Sequence, residues 1–330
     1  MKAAFIEETG PPEVIQWGDM DTPEPKGSEV LVKTQAVSVN PVDTYIRGGL
    51  IGFELPQRFI VGCDIAGTVE GVGPKVRTLR KGDRVWGSNQ GLLGRQGTFA
   101  EYAAIGEEWL YPLPEGVEPK TAAAVALTGI TAHLGLFLHG QARRGERLLV
   151  NGGTGGVGSM VVQMARAAGL KVLATSGSDA KREKSLELGA EVAVNYKTED
   201  VDAAIRDFAP EGLDIWWETR LQPEMGRTIQ SLGKRGRMIL MAGRDAQPAF
   251  PVGPFYVKDL SLRGFAMFNA SAEEQRECAE DINRWMSERK LEPIIGLETT
   301  LSDAARAHRM QEENTVGGAG TLTGKIILIP

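Results

Sequence analysis

Hydrophobic and polar positions follow two different rhythms along this chain. In the first third the rhythm is short. Residues 28–34 (Ser-Glu-Val-Leu-Val-Lys-Thr) alternate with a period of two, as a half-buried strand does. Residues 62–73 read as a second strand punctuated by glycine. Lys81-Gly82-Asp83 signals a turn into a short strand at 84–86, and the glycine-rich 87–98 stretch predicts a loop. From about 147 the rhythm lengthens. Strands are predicted at 147–151, 171–175, 191–195, 214–217 and 237–241, alternating with helices at 156–169, 180–188, 199–208 and 223–232. The tail adds helices at 272–289 and 302–313, with strands at 292–301 and 325–329. Strands alternating with helices imply βαβ units and a doubly wound parallel sheet. The fold class expected is therefore α/β, a Rossmann-type sheet domain following a β-rich domain.

Composition narrows the classes of function. The chain has 330 residues, enough for about two domains, and its 42% apolar and 24% charged content is that of a globular protein. Its formal charge is 37 − 43 = −6, with no segregated basic run, which argues against nucleic acid as a partner. Cys63 and Cys278 are the only cysteines, so no disulfide framework is expected and a reducing, cytoplasmic setting fits. The apolar stretch before Glu7-Glu8 is too short for a signal-peptide core. Residues 121–142 carry no charge, yet they contain Thr128, Thr131, His133, His139, Gln141 and three glycines. They are read as buried helix at a domain junction, with no membrane as partner.

The first chemistry-bearing motif is Gly152-Gly153-Thr154-Gly155-Gly156-Val157-Gly158. It follows a predicted strand, opens a predicted helix and contains Gly153-x-Gly155-x-x-Gly158. That is the dinucleotide fingerprint: glycines for the turn, for backbone approach to a pyrophosphate, and for close helix–strand packing. The helix N-terminus would add free N–H groups and partial positive charge. The second strand of such a unit ends in a carboxylate when the ribose 2′-hydroxyl is bound. Here it ends Thr175-Ser176-Gly177-Ser178, with Lys181 and Arg182 following. Small hydroxylated residues leave room for a 2′-phosphate, and the basic pair can neutralise it, so NADPH is expected over NADH.

A catalytic zinc needs three protein ligands. The three histidines, His133, His139 and His308, are scattered and read as packing or surface residues. Two cysteines cannot make a four-cysteine structural site. No metal site is expected, and hydride transfer does not require one, because the cofactor carries the chemistry.

Several stretches resemble the zinc-independent quinone oxidoreductases, the zeta-crystallin-like family of medium-chain dehydrogenases/reductases. They are the block Ala36-Val37-Ser38-Val39-Asn40-Pro41-Val42-Asp43-Thr44-Tyr45-Ile46-Arg47-Gly48, the segment Val61-Gly62-Cys63-Asp64-Ile65-Ala66-Gly67, Leu127-Thr128-Gly129-Ile130-Thr131-Ala132, the glycine loop, Val194-Asn195-Tyr196 and Thr323-Gly324-Lys325. Zinc-dependent members carry a histidine where Cys63 stands, and only the adjacent acid, Asp64, is kept. The resemblance implies a GroES-like substrate domain at 1–122 completed by 290–330, and an NADPH-binding Rossmann domain at 123–289. It implies that Asn40, Pro41 and Tyr45 face nicotinamide and substrate, and that Thr131 sits near the nicotinamide ribose. Gly155, Gly156 and Val157 would meet the pyrophosphate. Gly177, Ser178, Lys181 and Tyr196 would hold the adenosine phosphate, and Gly243 and Phe268 would flank the nicotinamide. An edge strand at 262–267 would pair with its copy in a homodimer.

Three features depart from that pattern: the bulky Trp216-Trp217-Glu218-Thr219, the long 87–98 loop, and the Gly317-Gly318-Ala319-Gly320 tail. The expected reaction is hydride transfer from NADPH to a small-molecule acceptor, a quinone or alternatively an α,β-unsaturated carbonyl. Tyr45 or Asn40 would meet the charge developing on oxygen, and Tyr45 or water would give the proton. A cofactor-binding protein with little turnover is the alternative outside enzymes.

Overall fold

The computed structural model describes residues 1–52 and 54–330. The chain divides into two compact units, Met1–Thr128 with Ser271–Pro330, and Gly129–Ala270. The boundary differs from the expected one in a specific way. The helix Ala272–Ser287, expected with the nucleotide domain, belongs to the first unit. Its Asn283 explains why: Asn283 accepts from the Trp86 indole N–H and donates to the Pro112 carbonyl, which ties the helix to two strands of that unit.

The first unit is β-rich. Its long strand Glu29–Val39 pairs antiparallel with Ile65–Val72, Tyr102–Gly106 and Lys325–Ile329 at different points along its length. Two irregularities in its register against Ile65–Val72 let one strand serve several neighbours. Strands Arg84–Gly87, Leu110–Pro112 and Ile295–Thr300 extend this sheet, and Gln16–Asp19, Lys2–Ile6 and Phe59–Ile60 form a second, smaller one. These agree with the GroES-like expectation. Strand Lys2–Ile6, strand Tyr102–Gly106 and the seven-residue helix Pro41–Arg47 carry no strong periodicity and were not predicted.

The second unit is a six-stranded, all-parallel sheet in the order Val192–Asn195, Lys171–Ser176, Arg147–Asn151, Leu213–Glu218, Leu232–Leu240, Ser261–Gly264. Helices Gly156–Ala167, Asp179–Glu187, Val201–Phe208 and Met225–Ser231 connect the first five of these strands in sequence. This is the expected doubly wound topology. Chain order reverses at Arg147–Asn151, the place where an open α/β sheet forms a ligand crevice at the strands' C-terminal ends. The expected edge strand at 262–267 is shorter and earlier, at Ser261–Gly264, because the chain leaves the sheet for a 3-10 turn at Met267–Asn269.

Trp216 and Trp217 are both fully buried. Side chains alternate across a strand, so the two indoles pack on opposite faces. Trp216 joins Leu149, Leu173, Ile229 and Met238 in one core cluster. Burying one such side chain contributes on the order of 4–6 kcal/mol of transfer free energy as an upper bound. Trp217 lies against Gly135, where an added Cβ would stand 2.2 Å from its ring. Gly135 belongs to the π-helical turn Leu134–His139 that continues the helix Pro119–His133. This continuous helix, 119–139, is the one stretch among the described residues long and apolar enough to cross a membrane. Its most apolar window is 72% buried inside the fold, as a core helix would be.

Candidate active site

In the first unit, strand Glu29–Val39 delivers Ser38 and Asn40 to the start of helix Pro41–Arg47. The helix begins there because Pro41 suits its first position and the Asp43 carboxylate accepts the Asn40 backbone N–H at 2.7 Å. Beneath this start lies a buried carboxylate, Asp64. One oxygen accepts from Ser38 Oγ at 2.6 Å and Asn40 Nδ2 at 2.7 Å. The other accepts from Ser88 Oγ at 2.6 Å and the Leu127 backbone N–H at 3.1 Å. Lys325, also buried, donates to the Val39 carbonyl at 2.7 Å and to Asn40 Oδ1.

Burial dominates the electrostatics. It raises the Asp64 carboxyl, against the pull of Lys325 and the hydroxyl donors. It lowers the Lys325 ammonium, against the pull of Asp64 and Asp43. The Asp43 carboxyl is pushed up to about 7, by burial first and by the like charge of Asp64, with the Cys63 thiol, the Asn40 N–H and Lys325 pulling it back. The Cys63 thiol is pushed up by burial and by Asp43 beside it.

Within this arrangement Asn40 is a buried link between two charged groups. Asn40 has no exposed surface, and both ends of its amide are engaged, with Asp64 and with Lys325. One amide proton goes to Asp64 and the second faces the Ser38 carbonyl at 3.5 Å, so the side chain holds the start of the Pro41–Arg47 helix in place. Pro41 and Tyr45 on that helix are half-buried.

No group of three histidine, cysteine or acidic side chains is placed to hold a metal among the described residues. The histidines serve aromatic packing. His133 lies against Phe137, His139 stacks on Phe265 at 4.6 Å between centroids, and His308 meets Phe99 edge-on.

In the second unit the glycine loop leaves strand Arg147–Asn151 and enters helix Gly156–Ala167, with Gly155 as the residue before the helix. Gly152 has φ +74°, a left-handed conformation that favours glycine. A Cβ on Gly158 would stand 2.1 Å from the Gly152 carbonyl oxygen, so this position requires glycine for the helix to approach the strand end. Gly153 packs on Ala174 of the neighbouring strand. The first backbone N–H groups of the helix, at Gly156 and Val157, have no acceptor within the helix, as at any helix N-terminus.

The tip of strand Lys171–Ser176 lies beside this loop. Gly177 lies under the Tyr196 hydroxyl, which a Cβ there would approach to 2.6 Å. Ser178 caps helix Asp179–Glu187 by accepting the Lys181 N–H. The Ser176 hydroxyl is engaged within the protein. It is buried against Ser185 Oγ and the Lys181 carbonyl, so it braces the tip. The Lys181 ammonium is lowered, by burial first and then by the like charge of Lys197. Lys197 is a residue that sequence reasoning missed, although it directly follows Tyr196. Arg182, by contrast, pairs with Glu183 and Glu199. Among the remaining candidates, Gly243 (φ +79°) follows strand Leu232–Leu240, Phe268 lies in the 3-10 turn after the edge strand, and Thr131 is buried in helix Pro119–His133. The structure places each of these three within the second unit.

Comparison with known proteins agrees with both halves. Residues 26–115 match the alcohol dehydrogenase GroES-like domain, and residues 156–287 match the zinc-binding dehydrogenase domain. The human quinone oxidoreductase is 34% identical over 331 residues, covering 100% of this chain and 98% of its own. A quinone oxidoreductase of Pseudomonas aeruginosa is 28% identical over 331 residues, covering 97% of each. Among solved structures, a mycobacterial protein complexed with NADPH is 28% identical with a TM-score of 0.86, and an NAD-dependent alcohol dehydrogenase is 29% identical with a TM-score of 0.89. Both comparisons span 100% of each chain. Sequence motifs, sheet topology and full-length similarity agree, and the chain belongs to the quinone oxidoreductase family of medium-chain dehydrogenases/reductases.

Proposed function

We propose that the chain is an NADPH-dependent quinone reductase that passes a hydride to an electron-poor acceptor without zinc, as a cytoplasmic homodimer. The observation that carries the cofactor reading is the tip of strand Lys171–Ser176. The last strand residues and the turn after them, 175–178, carry no carboxylate, the nearby Asp179 is engaged by the Asn195 amide at 2.8 Å, and Lys181 follows with its ammonium lowered by burial first and then by the like charge of Lys197. A dianionic phosphate bound near Lys181 would offset the positive charge there. The complex of the mycobacterial neighbour with NADPH supports the same reading.

NADPH, when bound, supplies the hydride. The chain's residues do the rest. The backbone at Gly153, Gly155, Gly156 and Val157 receives the pyrophosphate, and Gly177, Ser178, Lys181, Lys197 and Tyr196 surround the 2′-phosphate. Thr131, Gly243 and Phe268 are assigned to the nicotinamide end by family resemblance. The Tyr45 phenol gives the proton, on a helix whose start is pinned by Asn40, Asp64 and Lys325.

The donor set supports zinc independence. Both Asp64 oxygens are filled by hydrogen-bond donors, the Cys63 thiol is held protonated, and the Lys325 cation lies in the same network. The dimer is supported by the exposed edge strand Ser261–Gly264, with Leu262 outward, and by the exposed Val252, Tyr256 and Val257 on the preceding helix. Both cysteines are free and buried, which suits a reducing compartment.

Steady-state oxidation of NADPH against a panel of quinones and α,β-unsaturated carbonyls tests the reading, with metal analysis of the same preparation. Turnover with quinones and no stoichiometric zinc is expected. Turnover confined to the unsaturated carbonyls, or about one tightly held zinc whose removal abolishes activity, would overturn it.

A further inference from the structure

The bulky run at 216–219 ends in Glu218 and Thr219, and Glu218 is a carboxylate with no exposed surface at the end of its strand. We propose that Glu218 is a positioning residue for the glycine loop, acting through Asn151 and Thr175 to set where the loop's backbone N–H groups stand.

A carboxylate taken wholly out of water is costly unless its oxygens are filled. Here they are. Oε1 accepts from Asn151 Nδ2 at 3.1 Å and from the Arg220 backbone N–H at 2.9 Å. Oε2 accepts from the Trp216 indole N–H at 3.2 Å and from Arg220 Nη2 at 2.8 Å.

The bond to Asn151 has a directional consequence. An ionised carboxylate only accepts, so the Asn151 amide must turn its nitrogen to Glu218 and its oxygen away. That oxygen accepts from Thr175 Oγ1 at 3.0 Å. With its proton committed, Thr175 Oγ1 has a lone pair left, and the Gly152 N–H donates to it at 3.3 Å. Two further bonds fix the same corner: Thr219 Oγ1 donates to the Asn151 carbonyl at 2.7 Å, and the Gly153 N–H donates to the Thr175 carbonyl at 3.0 Å. The polarity of the whole chain, from Glu218 to the first glycine, is thus set by one acceptor-only group. Three adjacent strands meet there, and Gly152, which begins the loop, is held in a left-handed conformation.

The inference rests on the reading that the loop receives the cofactor's pyrophosphate. It is tested by titrating NADPH, NADH and adenosine 2′-monophosphate into the full-length wild-type, Glu218→Gln and Thr175→Val proteins. Glutamine turns one acceptor of the buried group into a donor. Valine is nearly isosteric with threonine and deletes only the hydroxyl. Both variants should bind NADPH and NADH more weakly by the same factor, roughly 3- to 10-fold for Thr175→Val, where a neutral hydrogen-bond relay is lost, and more for Glu218→Gln. Adenosine 2′-monophosphate has no pyrophosphate and should bind all three proteins alike. Unchanged dinucleotide binding in Thr175→Val, or equal weakening of the monophosphate, would overturn the role of Glu218. A wild-type protein that binds the monophosphate as tightly as NADPH would instead overturn the pyrophosphate reading of the loop.

Discussion

The Asn40 side-chain amide donates to the Asp64 carboxylate at 2.7 Å, wholly out of water. The Asn40 oxygen faces Lys325, so the amide lies between a buried anion and a buried cation. Removing the Asp64 charge takes the acceptor from its buried donors and leaves Lys325 with Asp43 alone as a nearby carboxyl, and breaking a buried pair costs about 3–5 kcal/mol. Asp64→Asn should therefore lower unfolding stability by several kcal/mol. Combining it with Asn40→Asp moves the negative charge next to Lys325 and exchanges donor for acceptor between positions 40 and 64. Denaturant unfolding of the four proteins of this cycle should show the double variant more stable than Asp64→Asn alone. A double variant as unstable as the sum of its parts would mean that the charge pairing does not stabilise the helix start.

The phosphate pocket makes a graded prediction. Lys181→Ala loses a charge-assisted contact of ~1.5–3 kcal/mol, which weakens NADPH roughly 10- to 100-fold and leaves NADH nearly unchanged. Lys197→Ala should weaken NADPH in the same direction but less, because its side chain is more exposed to water. Arg182→Ala should have little effect, since Glu183 and Glu199 already hold the guanidinium. Fluorescence titration of both cofactors decides the order. A wild type that prefers NADH would remove the basis for the pocket.

Two buried groups give stability slopes of opposite sign with pH. His308 is fully buried beside Arg47, and burial with that charge lowers its imidazole from 6.5 to about 3. Between those values the unfolded chain binds a proton and the native one does not, so its contribution makes stability rise with pH. Asp43 runs the other way. Its native carboxyl is raised from 3.8 to about 7, so in that window the native chain holds the extra proton and stability falls as pH rises. Each slope approaches about 1.4 kcal/mol per pH unit and the windows overlap, so they largely cancel in the wild type. His308→Gln should unmask a fall in stability from pH 4 to 7, and Asp43→Asn should unmask a rise. Urea midpoints across that range check both signs, and parallel profiles for the two variants would refute the assignment.

The edge strand predicts the assembly. Leu262→Lys places a charge on the exposed edge of Ser261–Gly264, a common device for blocking strand pairing. It should convert the dimer to a monomer in sedimentation velocity with unchanged far-ultraviolet circular dichroism. A dimer that survives the substitution would place the interface elsewhere.

What the sequence discloses depends on how local the determining interactions are. Strands Arg147–Asn151 and Lys325–Ile329 match their predicted bounds because a short apolar run between turn residues is its own signature. Strand Lys2–Ile6 does not alternate, and it exists by pairing with Gln16–Asp19 and Phe59–Ile60. The glycine loop was legible down to individual residues, since backbone conformation and close approach dictate residue type there. The buried charges were not. Lys325 opens a strand, where a lysine is ordinarily solvated, and only its neighbours in space, Val39 and Asn40, account for its burial. Ser176 lies at the expected strand tip, but no pattern in the sequence shows that its hydroxyl meets Ser185.

The contact of Trp217 with Gly135 ties two distant positions into one steric unit. Neither can vary alone. A side chain at 135 collides with the indole, and a small residue at 217 leaves an indole-sized hole under the π-helical turn. Relatives that carry a compact residue at the position of Trp217 are free to fill that hole from the helix, so the two sites should substitute together across the family. A redesign of this turn has to begin with a pair of exchanges, one shrinking at 217 and one growing at 135.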